Sequence, residues 1–191
     1  MTGSAAPIFP RRLPLDERPA LIACAVDVDL PAARAFELFT TQTGRWWPFG
    51  PGGNSRRRRQ IIVEPHAKGR MYEVHADGAV GEWAIIVAYV PPRSLIVEWL
   101  LDADFAMGSA PSSTDVELFF ADNRDGTSHV TVIHTRLERL GGEPEAAVEK
   151  LRLRWREVLH AFQACADTVD RRLAGRARRP SPRRRSPVGI L

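Results

Sequence analysis

One histidine and five tryptophans carry most of the chemical promise in this sequence. His134 shares a face with Val130 and Val132 by the two-residue period of an extended chain, and that face reads as inward. An imidazole there could orient a polar ligand group or serve as a general base, if its pKa sits near neutrality. It could equally be a core histidine bonded to a backbone carbonyl. Trp46, Trp47, Trp83, Trp99 and Trp155 come from separate segments that would converge on one interior space. An indole buries a large apolar area and offers a single N–H donor, which suits the wall of a mixed apolar pocket as well as it suits plain core. Arg70, Glu73 and Glu98 lie on neighbouring strands and could add polar contacts, but alternation alone leaves open which parity points inward. His66 and His75 stand nine residues apart with no thiolate near, so no metal-ligand spacing is present. Nor is there a phosphate-binding glycine loop or a nucleophile elbow, and no cofactor is expected.

The elements that must position these residues are legible from hydrophobic period. Between Glu143 and Leu173 the apolar residues Val148, Leu151, Trp155, Val158, Phe162, Cys165, Val169 and Leu173 recur at steps of three or four. That is one stripe of a long helix, opposed by Glu149, Lys150, Arg152, Arg156, Gln163, Asp167 and Asp170. Pro144 suits its first turn, and Arg171 and Arg172 its last. At about 1.5 Å per residue it would span roughly 40 Å. Such a stripe needs an equally long apolar surface opposite.

Strands supply that surface. Residues 20–29 alternate Ile22, Cys24, Val26 and Val28 with smaller or polar residues. Asp29-Leu30-Pro31 opens a short helix through Thr40, with Phe36 and Phe39 inward, and Thr43 to Trp47 adds a further turn before the Pro/Gly loop at 48–53. Six strands then follow as hairpins: Gln60–Glu64, Arg70–Ala76, Val80–Val90, Ser94–Leu101, Thr114–Ala121 and Thr127–Arg136. Asp77-Gly78 is the strongest hairpin signal, and Asp102 to Ser113 reads as a long loop. The predicted fold class is α+β: a seven-stranded antiparallel sheet wrapped around a long C-terminal helix, with two short helices between strands 1 and 2.

Composition restricts the function classes. The 191 residues carry 44% hydrophobic and 26% charged side chains, ordinary for a globular protein. The longest apolar run, Trp83 to Val90, is too short to span a membrane, and Met1 to Arg18 has no secretory core, so a cytoplasmic location is expected. Cys24 and Cys165 read as buried free thiols of a reducing compartment. The net charge of +4 is a property of the tail. Residues 174–191 hold six arginines and no acid, leaving residues 1–173 with 21 basic against 23 acidic groups. The tail and Arg56 to Arg59 could attract phosphate without reading bases, since no aromatic residues interleave them, so no specific nucleic-acid partner is expected. The boundaries predicted are a flexible arm at 1–18, one domain at 19–173 and a disordered Arg/Pro/Ser-rich tail at 174–191.

Phe36-Glu37-Leu38-Phe39-Thr40, Trp46-Trp47-Pro48, Glu64-Pro65 and Gly69-Arg70-Met71-Tyr72-Glu73 stand in an order that resembles the START-like (SRPBCC) superfamily. Asp77-Gly78, Trp83, Pro91-Pro92, Trp99, Gly126-Thr127, His134 and Trp155 extend the likeness over roughly residues 20 to 170. The branch most similar is that of bacterial homologues of the activator of heat shock protein 90 ATPase. The resemblance implies a helix-grip fold with a cavity between the sheet and the C-terminal helix. Its members include lipid and polyketide binders, aromatase/cyclases and chaperone activators, with no shared catalytic set, so fold does not convert to function. Residues 1–18 offer no counterpart of the chaperone activators' separate N-terminal domain.

The expected function is binding, without turnover, of a small hydrophobic or amphipathic molecule between the sheet and residues 143–173. The residues expected to line the site are Trp47, Tyr72, Trp83, Trp99, Phe120, Val132, His134, Leu151 and Trp155. The alternatives are a cyclase- or hydrolase-like enzyme with His134 as its catalytic base, and an interaction protein contacting a chaperone or transcription complex. A homodimer or another protein partner stays open.

Overall fold

A computed structural model describes residues 21–49, 60–107, 113–140 and 144–177. Seven strands form one antiparallel sheet: β1 (Ile22–Val28), β2 (Gln60–Val63), β3 (Arg70–Val74), β4 (Val80–Val90), β5 (Ser94–Trp99), β6 (Thr114–Asp122) and β7 (Ser128–Thr135). Helices α1 (Ala32–Thr41) and α2 (Thr43–Trp46) fall between β1 and β2, and α3 (Pro144–Ala177) closes the chain after a 3-10 turn at Leu137–Leu140. The spatial order is β1-β7-β6-β5-β4-β3-β2. Every strand from β2 to β7 pairs with its sequence neighbour, as local hairpins require, while β1 joins the far edge by pairing with β7.

The alternation sets the inner face. Ile22 and Val28 of β1, Leu95, Val97 and Trp99 of β5, Val116, Leu118 and Phe120 of β6, and Val130, Val132 and His134 of β7 are all buried. α3 answers with Leu151, Trp155, Val158 and Phe162, widened by Leu159 and Ala166. These residues make one continuous core with the inner faces of α1 and α2. Cys24 and Cys165 are half-buried rather than buried. Burial pushes the Cys24 thiol up, against the opposing pull of Arg152 and Arg156.

β4 departs from simple alternation, and the reason is geometric. Its pairing with β3 slips at Trp83, which leaves Trp83 and Ala84 both facing inward; its pairing with β5 slips again at Val87. Two bulges in one strand bend and twist the sheet into a curl around the helices. The turns obey their local chemistry: Gly78 (φ +86°) and Gly126 (φ +87°) take the left-handed positions of the β3–β4 and β6–β7 hairpins. α1 has no capping side chain of its own. The Ala32 amide instead donates to Asp122 Oδ1 at 2.6 Å, so the end of β6 caps the helix and docks it across the sheet.

Some expectations move. α3 continues through residues 174–177, which the sequence assigned to the tail, so the helix runs past Gly175. The arm at 1–18, the arginines at 56–59 and the remainder of the tail lie outside the described residues. Among the described residues, no helix is long and apolar enough to cross a membrane.

Candidate functional site

Rings from five segments meet between the sheet and α3. Trp47 follows α2, Phe49 lies two residues on, Trp83 and Trp99 rise from β4 and β5, Phe105 comes from the turn after β5, and Trp155 projects from α3. Trp47 stands 5.0 Å from Trp83, 6.2 Å from Trp99 and 6.2 Å from Trp155, centroid to centroid. Trp99 lies 5.5 Å from Trp155. Such tilted and edge-on contacts each contribute about 0.5–1.5 kcal/mol beyond their buried area.

Phe105 occupies the middle of this group. Its ring stacks on Trp47 at 5.9 Å and 24°, and meets Phe49 at 5.7 Å, Trp99 at 5.3 Å and Trp155 at 5.1 Å. The loop delivers it through a tight turn. Asp102 Oδ1 accepts the amides of Asp104 (2.8 Å) and Ala106 (3.0 Å), and a bridge from Leu101 to Met107 closes the base. Phe105 itself has φ +58°. A bulky L residue held there costs roughly 1–2 kcal/mol, so ring packing overrules the backbone preference. Outside, Asp104 pairs with Lys150 of α3 at 2.6 Å and lies 3.9 Å from Arg154, whose guanidinium covers the Phe49 ring at 4.5 Å.

The polar floor of the site is a chain of three side chains. Trp155 Nε1 donates to His134 Nδ1 at 3.0 Å, and His134 Nε2 lies 2.7 Å from Thr114 Oγ1. An indole nitrogen only donates, so Nδ1 is the acceptor and the proton of neutral His134 sits on Nε2, donating to Thr114. All three residues are fully or almost fully buried. Desolvation, with no charged partner to offset it, lowers the His134 pKa from 6.5 to about 3. His134 is therefore a neutral link that ties α3 to β7 and β6 inside an apolar interior.

Two further polar features stand nearby. Trp99 Nε1 is buried and has no hydrogen-bond partner among the described residues. On β3, Glu73 is only 3% exposed, and its Oε1 lies 3.5 Å from His75 Nε2. A Cβ built on Gly81 would meet Met107 Sδ at 3.1 Å and His75 Nε2 at 3.3 Å, so the bare glycine is what admits both side chains.

Of the residues expected to line the site, Trp47, Trp83, Trp99 and Trp155 converge, His134 lies beneath Trp155, and Val132 and Leu151 are fully buried in the surrounding core. Phe120 belongs to a second ring group with Phe36 (5.2 Å) and Phe39 (5.6 Å). Tyr72 is a correction: it faces outward. β3 turns Met71 and Glu73 in, while Arg70 bonds Glu64 and Glu82 in solvent and lays its guanidinium over the Tyr72 ring at 4.9 Å. Glu98 is likewise on the outer parity, opposite Asp115. Phe49, Phe105 and Thr114 were not anticipated. Phe105 sits in a stretch that reads as loop, and its one sequence signal was an aromatic residue among Ala, Asp and Gly.

An open groove of about 320 Å³ lies elsewhere, between α1 and the β2 edge, lined by Thr40, Thr41, Gln60, Ile61, Ile62, Val63, Pro65 and Tyr89. Both threonine hydroxyls there are committed to carbonyls of their own helix, so it offers few groups to orient a ligand. Among the described residues, no three metal-ligating side chains converge.

No family model matches the chain, and no curated protein sequence does. Solved structures do. An anthrahydroquino-gamma-pyrone synthase, Txn09, aligns with a TM-score of 0.53 and 26% identity over 75% of this chain and 95% of that one. CalC of Micromonospora echinospora, a self-sacrificing resistance protein, aligns at 0.57 and 22% identity over 78% and 95%. The Aha1 dimer of Colwellia psychrerythraea aligns at 0.54 and 11% identity over 78% and 96%. The chain shares the α+β helix-grip fold of these structures, a curled seven-stranded antiparallel sheet around a long C-terminal helix, in keeping with the START-like resemblance of its sequence.

Proposed function

We propose that the protein binds a small hydrophobic or amphipathic molecule between the sheet and α3, and holds it without turnover. The observation that carries this reading is Trp99 Nε1, a buried donor left unpartnered among the described residues and surrounded by the rings of Trp47, Phe105 and Trp155. A buried N–H without an acceptor costs roughly 1–3 kcal/mol, a cost that a ligand oxygen would remove. The apolar rings would supply affinity and Trp99 orientation, with Glu73 and His75 at the neighbouring edge as a second polar contact. The 26% identical structure is named as a synthase and the 22% identical one as a resistance protein. Both descriptions fit a fold that receives small molecules, and they leave the chemistry open.

The enzyme alternative with His134 as base is disfavoured by its surroundings. Its Nδ1 lone pair is taken by the Trp155 N–H, and its Nε2 is engaged with the Thr114 hydroxyl. A base with a pKa near 3 also has little proton affinity at neutral pH.

The test is native mass spectrometry of gently purified protein, followed by organic extraction of anything released. A bound apolar compound whose affinity falls at least tenfold in Trp155→Ala is the expected result. A ligand held equally well by a folded Trp155→Ala variant would place binding elsewhere and sink the assignment.

A further inference from the structure

Phe105 is held in place by its neighbours and against its own backbone. Its ring touches four others, those of Trp47, Phe49, Trp99 and Trp155, yet it comes from a short turn and not from a helix or strand. Its φ of +58° is one that bulky side chains avoid. The turn is tied to α3 by Asp104 with Lys150 and Arg154, and the Asp104 and Lys150 side chains are each 49% exposed. Exposed pairs of this kind are weak and screened by salt. Trp99, whose ring centroid lies 5.3 Å from that of Phe105, has a buried Nε1 with no acceptor among the described residues.

We infer that Phe105 is a placeholder for the ligand: the site takes a planar aromatic ring carrying a hydrogen-bond acceptor, which enters where the Phe105 ring lies and meets Trp99 Nε1. This rests on the binding reading above and specifies the class of molecule bound. The slot has the proportions of a flat ring because a flat ring fills it, with Trp47 nearly parallel to it and Phe49, Trp99 and Trp155 more steeply inclined. Displacing the turn relieves the left-handed Phe105 and breaks the Leu101–Met107 bridge that closes its base. Apparent affinity is then the intrinsic affinity reduced by the fraction of molecules with the turn displaced.

The experiment is calorimetric titration of the full chain with three probes: 1-naphthol, which is planar with an acceptor oxygen; naphthalene, planar without one; and 1-decalol, saturated and not planar. Phe105→Ala empties the slot, and Asp104→Ala loosens the turn without entering it, which keeps the test open should Phe105→Ala fail to fold. The expected result is 1-naphthol binding about tenfold tighter to Phe105→Ala and about threefold tighter to Asp104→Ala than to the unaltered protein. 1-Decalol should bind at least tenfold more weakly than 1-naphthol. Trp99→Phe should weaken 1-naphthol about fivefold and leave naphthalene unchanged, as loss of one hydrogen bond would. Equal 1-naphthol affinity in all three proteins overturns the placeholder and leaves the binding reading standing. Tighter binding of 1-decalol than of 1-naphthol overturns the ring class. Failure of every probe with every folded variant overturns the placeholder and the ring class, and leaves the binding reading to the native mass spectrometry above.

Discussion

Acid should weaken this fold in part through one buried residue, and the size of that part follows from His134. The ordinary imidazole pKa of 6.5 falls to about 3 in the folded chain because the charged form would be desolvated among Val132, Trp155 and Thr114. Between those two values the unfolded chain binds a proton that the folded chain does not. Stability is therefore complete above pH 6.5 and declines as pH falls, by about 1.4 kcal/mol per unit, levelling off below about pH 3. The loss is about 2 kcal/mol at pH 5 and close to 5 kcal/mol at the plateau, against a total stability of order 5–15 kcal/mol for a domain. His134→Leu isolates the term. At pH 7.5 it should cost about 2–3 kcal/mol, because the Trp155 N–H loses its acceptor and the Thr114 hydroxyl its donor. It also removes the titration, so the two stability curves should cross near pH 5. Urea unfolding followed by tryptophan fluorescence between pH 7.5 and 4 reads both curves. Asp27, Glu64 and Asp125, held below the usual carboxylate range by hydrogen bonds from His129, Arg70 and Thr127, lose their contribution as pH falls through their own values. They do so equally in both proteins and cancel in the difference. Parallel curves between pH 6.5 and 4.5, or an NMR titration of folded His134 near 6.5, would refute the reasoning.

The other predictions concern packing and turns. Gly69→Ala should destabilise by about 1–3 kcal/mol, since its Cβ would lie 2.6 Å from the Glu64 carbonyl oxygen and 2.9 Å from that of His66, backbone atoms that cannot step aside. Gly78→Ala meets no atom within 4 Å, so only its φ of +86° is strained and a loss of about 1 kcal/mol is expected; equal losses at the two positions in thermal unfolding would contradict the distinction. Trp155→Phe keeps a ring but strands His134 Nδ1, and should cost about 2–4 kcal/mol in urea unfolding while moving the His134 nitrogen shifts in NMR spectra.

Periodicity carried most of the architecture in the sequence. The three- and four-residue steps from Val148 to Phe162 specify a one-sided helix, and the alternations in β1, β6 and β7 specify strands with one wet face, because each period maps directly onto a direction in space. Hairpin order followed from Asp77-Gly78 and Gly126, where only a residue free of Cβ strain takes the turn. What local period cannot contain is register between strands. Tyr72 and Glu73 are adjacent on β3, and nothing in Arg-Met-Tyr-Glu-Val says which of them goes inside; the choice is made by pairing with β4 and by the solvent ion pairs of Arg70. The bulge that turns Trp83 inward is a mismatch between two strands and so belongs to neither alone. Phe105 was invisible for the same reason, since its turn is shaped by Asp102 but its ring is placed by Trp47, Trp99 and Trp155, all distant in sequence. The sequence by itself determined a curled sheet gripping one long helix, with tryptophans and His134 directed between them. Only tertiary structure decided that His134 would be locked neutral by Trp155 and Thr114, that Glu73 would be the buried carboxylate, and that a loop phenylalanine would fill the space between, because those outcomes depend on distances between chains of atoms that no local pattern encodes.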